Sequence, residues 1–237
     1  MRHLIRADMV RILKKISFYV LIVLYFVLLI VTKNGDNAEE QLNLMEGRII
    51  LGSRLIIIPI FLAVYGDEFR TGSMQTVIGR GLSRGKVVIA KLMDCGFLML
   101  PVLLLAFVIA LIKNENAQVA VTVNQNLNMF LTVFQCFLWA MGYFACGALL
   151  LFAMWSVAAG MIALITSALF LNGILELAQS QLHFPFFDLS YEGLINKAFA
   201  AFQDGSFGWQ IIPALAVYFC GSVYLSIRLF DRKELEL

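Results

Sequence analysis

The sequence predicts an all-α integral membrane protein: a single domain over residues 1–237 with six transmembrane helices, an amphipathic interfacial helix before them, a short amphipathic helix between spans two and three, and re-entrant external helices before span six. Three observations carry this. Of the 237 residues, 61% are hydrophobic and 14% charged, against roughly a quarter charged in a soluble domain. The apolar residues come in runs of the length, about 20 residues, that crosses a hydrocarbon core as helix. The cations are sorted by loop: thirteen of the 18 Lys and Arg fall in alternate loops and only five in the others. That bias puts both ends in the cytoplasm; the chain is expected in a plasma membrane, from a bacterial source.

Residues 1–15 set Leu4, Ile5, Met9, Ile12 and Leu13 against Arg2, Arg6, Arg11, Lys14 and Lys15. The pattern suits a helix lying in the headgroup plane, or a plain polybasic topology anchor. Ile16–Thr32 is the first span. Lys33-Asn34-Gly35-Asp36 follows it in place of a small-residue cleavage site, so an uncleaved helix is expected. Residues 33–47, with Asp36, Glu39, Glu40 and Glu46, read as a short acidic external loop. Span two covers 48–65, with a kink expected at Pro59. Arg54 either snorkels to the outer surface or lines a polar vestibule, because a charge at depth is costly.

Span three covers 87–112, and Lys91 and Asp94 sit one helical turn apart. That spacing allows an ion pair near the inner interface, the alternative being an ion-translocating carboxylate. Residues 113–126 form a polar external loop. Span four, 127–152, holds Gln135, and Ala153-Met154-Trp155-Ser156 is so tight a connection that spans four and five must form an antiparallel hairpin. Span five, 157–175, leads into Glu176 and Gln179. The segment 176–207 is too short and polar to span twice, yet it is rich in Phe, which suggests helices dipping into the outer leaflet. Span six, 208–227, precedes a charged tail.

The elbow at 66–86 is the longest polar, charged and glycine-rich interval on the basic side. Ser73 can cap a helix whose Met74, Val77 and Ile78 share a face, and Gly79 and Gly81 can end it. Two turns of helix are not stable alone in water, so a docking partner is expected. Two near-matches to phosphate-binding motifs fail in this elbow. Gly81-Leu82-Ser83-Arg84-Gly85-Lys86-Val87 is one residue short of a P-loop and has Val where the magnesium-binding hydroxyl belongs. Gly79-Arg80-Gly81-Leu82-Ser83-Arg84 ends in Arg and follows no strand. Hence no nucleotide or other cofactor is expected on this chain, and no nucleic acid partner. His3 and His183 sit in separate segments with no nucleophile beside them, so no catalytic residue is assigned. Ser156, Ser167 and Ser222 read as helix-packing residues, and the four cysteines as small buried hydrophobes without metal-ligand spacing.

Glu68-Phe69-Arg70-Thr71-Gly72-Ser73, then Gly81-Leu82-Ser83-Arg84 and Lys91, resembles a pattern found ahead of the third span in permease subunits of ABC-2 type transporters. The layout of that family covers essentially the whole chain, the motif about a tenth of it. The resemblance implies a membrane-spanning exporter subunit, similar to permeases that remove bacitracin, lantibiotics or other amphipathic peptides. Its partners would be two ATP-binding subunits, which carry the ATP and magnesium, a second permease copy or a related permease, and membrane lipid. The segment 71–79 would be the coupling helix, with Glu68, Phe69, Arg70, Met74, Gln75, Val77, Ile78, Arg80 and Arg84 at the ATPase-subunit interface; the alternative is a solvated topogenic loop. Pro59, Phe61, Thr166 and Asn172 would lie on the substrate path. Glu176, Gln179, Phe184, Phe186 and Phe187 would form an external gate, or anchor the segment at the interface as aromatics do. The rival functions are an ATP-independent channel or ion-coupled carrier, which would need Asp94 or Glu176, and a structural or sensory membrane partner.

Overall fold

A computed structural model describes residues 2–31, 35, 37–71, 79, 83–116, 122–203, 205 and 211–232. Every regular element among them is helical. In chain order they are α1 (Arg2–Leu13), α2 (Ile16–Val31), α3 (Ala38–Phe61), a π-helical turn (Leu62–Gly66), α4 (Asp67–Thr71), α5 (Arg84–Asn116), α6 (Val123–Met154), α7 (Val157–Ile165), a second π-helical turn (Thr166–Phe170), α8 (Leu171–Leu182), α9 (Tyr191–Gln203) and α10 (Ile211–Arg232).

Five helical stretches are long and apolar enough to cross a membrane: Glu39–Phe69, Arg84–Glu115, Val123–Met154, Val157–Leu182 and Ile211–Arg232. A sixth is reached if Ile5–Leu13 and Phe18–Val31, bent by 72° from each other, count as one span. The protein is therefore a multi-pass helical membrane protein. At 16 residues α2 is about 24 Å long, slightly under the usual hydrocarbon thickness of about 30 Å.

The expected acidic loop at 33–47 is corrected. From Ala38 on, these residues belong to α3, with Glu39 and Glu40 in its first turn, where carboxylates favour the positive helix end. Hydropathy marks only the part of a helix that lies in hydrocarbon; the helix itself runs on, and α5, with 33 residues, extends to about 50 Å.

The long helix α6 is central, packing against α3, α5, α7, α9 and α10. Its start is set by a capping box between Thr122 and Gln125. Its end is set by Trp155, left-handed at φ 56°, whose amide donates to the Leu151 carbonyl. The hairpin expected from Ala153-Met154-Trp155-Ser156 is thus present, with α7 beginning at Val157. Two glycines let the hairpin close: Gly147 and Gly160 face each other across it, and Phe61 of α3 wedges between them, so a Cβ on Gly160 would come 2.8 Å from that of Leu151. Gly52 of α3 lies under the Tyr25 ring of α2 with no room for a side chain. Below Pro59, α3 opens into the π-helical turn, so the kink expected there is a local widening of the helix.

The N-terminal helix, the elbow and the end of α10 share one end of the molecule. Arg11 of α1 bonds Glu68 of α4 at 2.9 Å, and Arg84 donates to the carbonyls of Phe230 (2.6 Å) and Asp231 (2.9 Å). The start of α9 lies against residues 138–143, partway along α6. Only 6% of the apolar window of α10 is buried, which leaves that helix at the edge of the bundle. Contrary to the sequence reading, Cys220 on α10 is exposed; Cys95 and Cys136 are buried.

Candidate functional site

Among the described residues two polar centres stand out in this apolar bundle, one at the elbow end and one partway along the spans. At the elbow end, Lys91 is 1% exposed, and its ammonium donates to Asp8 (2.6 Å) and to Glu68. Arg11 bonds the same Glu68 oxygen and lies 3.5 Å from Asp8. Lys15 pairs with Asp67 at 2.5 Å and reaches the Ala63 carbonyl on the π-helical turn. The N-terminal helix α1 is thus stapled to both flanks of the elbow, α4 and the start of α5. The i, i+3 pair expected between Lys91 and Asp94 is corrected: the Lys91 ammonium is taken by Asp8 and Glu68. Asp94 is fully buried within electrostatic reach of Lys91, Asp8 and Glu68, yet neither of its oxygens accepts a hydrogen bond. Three carboxylates (Asp8, Glu68, Asp94) therefore share two cations, Lys91 and Arg11.

Of the residues assigned to the ATPase-subunit interface, Glu68 is buried in this network. Phe69 packs its ring against Trp155 (5.0 Å) and Phe152, and Arg84 lies over the Phe230 ring. Arg70 lies on α4. Met74, Gln75, Val77, Ile78 and Arg80 lie outside the described residues. The described part of the elbow therefore consists of two flanks locked to the bundle at each root.

The second centre lies partway along the spans. Glu192, in the first turn of α9, is 4% exposed and is held by Arg54 of α3, by the Tyr143 hydroxyl of α6 and by the Asn172 amide of α8. The Asn172 amide also donates to the Tyr143 hydroxyl at 3.2 Å. The Arg54 guanidinium lies over Trp139, 5.5 Å from the ring centroid. Arg54 thus has a buried carboxylate as its partner. Burial pushes the Glu192 carboxyl above its ordinary range, and Glu176 adds to this, while the Tyr143 hydrogen bond and Arg54 pull the other way.

This centre is built by α9, which folds back from the turn 183–190. Gln179 pins that turn by accepting the amides of Phe187 (3.0 Å) and Asp188 (3.3 Å). The Ser190 hydroxyl caps α9 by accepting the Gly193 amide. Gln135 bonds Asn196, Tyr191 reaches the Leu138 carbonyl, and Gly142 leaves room for the Tyr191 ring, so α9 lies flat on α6. Beside Glu192 opens a cavity of about 440 Å³ between α6, α8, α9 and α10, within the usual range of about 300–1,000 Å³ for small-molecule sites. Tyr143, Ser167, Asn172, Phe186, Tyr218 and Ser222 are among its walls.

Only Asn172 of the four residues assigned to a substrate path lines this cavity. Phe61 is fully buried core, Pro59 is in the helix above the π-helical turn, and Thr166 starts the second π-helical turn on an exposed face. Of the gate residues, Phe186 lines the cavity and packs on Phe184 (4.7 Å), Gln179 serves the turn, and Glu176 is exposed. Ser167 and Ser222 bond back to their own helix carbonyls and also face the cavity. Glu192 and Tyr143 escaped the sequence reading. The available signal was a carboxylate near the start of an aromatic-rich segment and an intramembrane Arg54 in need of an anion. No group of His, Cys, Asp or Glu side chains that could hold a metal occurs among the described residues.

No family model matches the chain, no curated protein matches it, and no solved structure matches it.

Proposed function

We propose that this protein is the membrane-spanning subunit of an ATP-driven exporter of the ABC-2 type, working with separate ATP-binding subunits and moving an amphipathic peptide, antibiotic or lipid-like molecule outward. One observation supports the reading above the others. The elbow that carries the amphipathic triad Met74, Val77 and Ile78 is rooted on both sides in the ion-pair network of Asp8, Arg11, Glu68 and Lys91. A load applied to such an elbow passes to α1, α3 and α5 together, because a short helix on floppy roots would transmit nothing. The chain itself supplies positioning and a path, and hydrolysis belongs to the partner. The positive-inside bias puts the elbow, the N-terminus and the C-terminus in the cytoplasm. A second permease copy would complete the path along the exposed side of the bundle.

The test is purification of the tagged chain, coexpressed with the ATP-binding subunit, in mild detergent. The expected result is an ATPase that accompanies the wild type and is lost from a correctly inserted Met74→Asp/Val77→Asp variant. An ATPase retained by the variant, or absent from both, refutes the coupling role. The alternative reading, an ion-coupled carrier, draws support from one feature, the buried Asp94 whose oxygens accept no hydrogen bond. It requires that Asp94→Asn abolish transport while ATPase partners are absent.

A further inference from the structure

The polar groups facing the cavity beside Glu192 share a property that their identities alone do not show. Six hydroxyls line it, and five of them have already donated their proton within the protein. Tyr143 donates to Glu192, Ser167 to Leu164 (3.0 Å), Tyr191 to Leu138 (3.0 Å), Tyr218 to Leu189 (2.8 Å) and Ser222 to Tyr218 (2.8 Å). One hydrogen of the Asn172 amide is committed as well, shared between Glu192 and the Tyr143 hydroxyl bonded to it. What remains at the wall is mostly oxygen lone pairs, the Asn172 side-chain carbonyl and the Glu192 carboxylate, with the second Asn172 N–H, the Ser190 hydroxyl and the weak Cys146 thiol as the donors left over.

Charge points the same way. Glu192 lines the cavity while its partner Arg54 stands behind it, so the pair turns its negative end toward the space. The positive end of α9, which would otherwise favour an anion, is already met by Glu192 in its first turn and by the Ser190 cap. The remaining walls are apolar, with Leu171, Leu175, Phe186 and Phe219 among them, and the exposed Leu171 and Tyr218 stand at the opening. The lining from α6 and α10, residues 142–146 and 218–222, lies partway along both spans, at the depth of an acyl chain.

We propose that this cavity is a binding site for small amphipathic amines, an apolar body seated among the aromatic and leucine side chains with a protonated N–H group turned to Glu192 and the Asn172 carbonyl. An anion would meet the Glu192 carboxylate and hydroxyls most of which have already donated, and a quaternary ammonium would bring charge without a hydrogen to give. As a statement about cargo the assignment rests on the exporter reading. As a statement about binding it rests on the cavity alone and needs no ATPase, so the two fail separately.

The experiment is calorimetric titration of the full chain in phosphatidylcholine nanodiscs with dodecylamine, dodecyltrimethylammonium and dodecanoate at neutral pH, with empty discs subtracted. The expected order is dodecylamine tighter than dodecyltrimethylammonium by about tenfold or more, the scale of hydrogen bonds to a charged group, and no saturable binding of dodecanoate. Ser222→Phe, which fills the opening and leaves the Glu192 network whole, is expected to lose dodecylamine binding by a similar factor. Arg54→Gln/Glu192→Gln, which removes both charges so that neither is stranded, is expected to erase the preference for the amine over the quaternary ion. Equal affinity for amine and quaternary ammonium, saturable binding of dodecanoate, or a Ser222→Phe variant that binds dodecylamine as the wild type does would each overturn the assignment.

Discussion

Replacing Lys91 with Met tests whether the elbow-end network is a structural staple. The ammonium is 1% exposed and holds two carboxylates, Asp8 at 2.6 Å and Glu68, whose side chains are 8% and 5% exposed. Removing it leaves Asp8, Glu68 and Asp94 facing one another with only Arg11 between them. Deleting one member of a buried pair costs about 3–5 kcal/mol, because the orphaned charge stays desolvated. For a chain of this length about 1 kcal/mol moves the midpoint by roughly 2–4 °C, so Lys91→Met is expected to melt about 6–20 °C below wild type. The assay is thermal unfolding of the purified protein in detergent, followed by intrinsic fluorescence. Asp94→Asn supplies the contrast. Three carboxylates share two cations here, and the oxygens of Asp94 accept no hydrogen bond, so its neutralisation is expected to leave the midpoint unchanged or raise it. If Lys91 were instead paired with Asp94, Asp94→Asn would destabilise as much as Lys91→Met does. A Lys91→Met variant within about 2 °C of wild type would sink the staple itself.

Gly52→Ala is expected to destabilise by about 1–3 kcal/mol, the range for an overpacked contact, since its new methyl would overlap the Tyr25 ring; Tyr25→Ala in the same chain should recover part of the loss. Glu192 sets a pH dependence. Burial raises its folded-state pKa above the ordinary 4.5, so the folded state holds its proton more tightly than the unfolded chain does. Stability is therefore highest below that ordinary value and falls as pH climbs through the window up to the raised pKa. Melting curves across this range should show the slope in wild type and lose it in Arg54→Gln/Glu192→Gln. Binding of an amine runs oppositely, weakening as acid protonates Glu192.

Hydropathy and charge are local properties, so the sequence by itself determined the all-helical membrane class, the apolar stretches and the tight turn at Ala153-Met154-Trp155-Ser156. The basic arm likewise reads as a helix from its own pattern, and α1 is that helix. Helix ends were less legible, because α3 and α5 continue past the hydrocarbon on residues that hydropathy scores as loop. The pairing of charges was decided only by tertiary structure. Lys91 looked served by Asp94 one turn away, yet its partner Asp8 lies 83 residues off, and Arg54 finds Glu192 at a separation of 138. In a medium that cannot solvate ions, each buried charge is bound to whichever opposite charge the packing of helices brings within reach. A sequence pattern shows that such a charge needs a partner; only the arrangement of α1, α4 and α5 at the elbow end, and of α3, α6, α8 and α9 partway along the spans, names it.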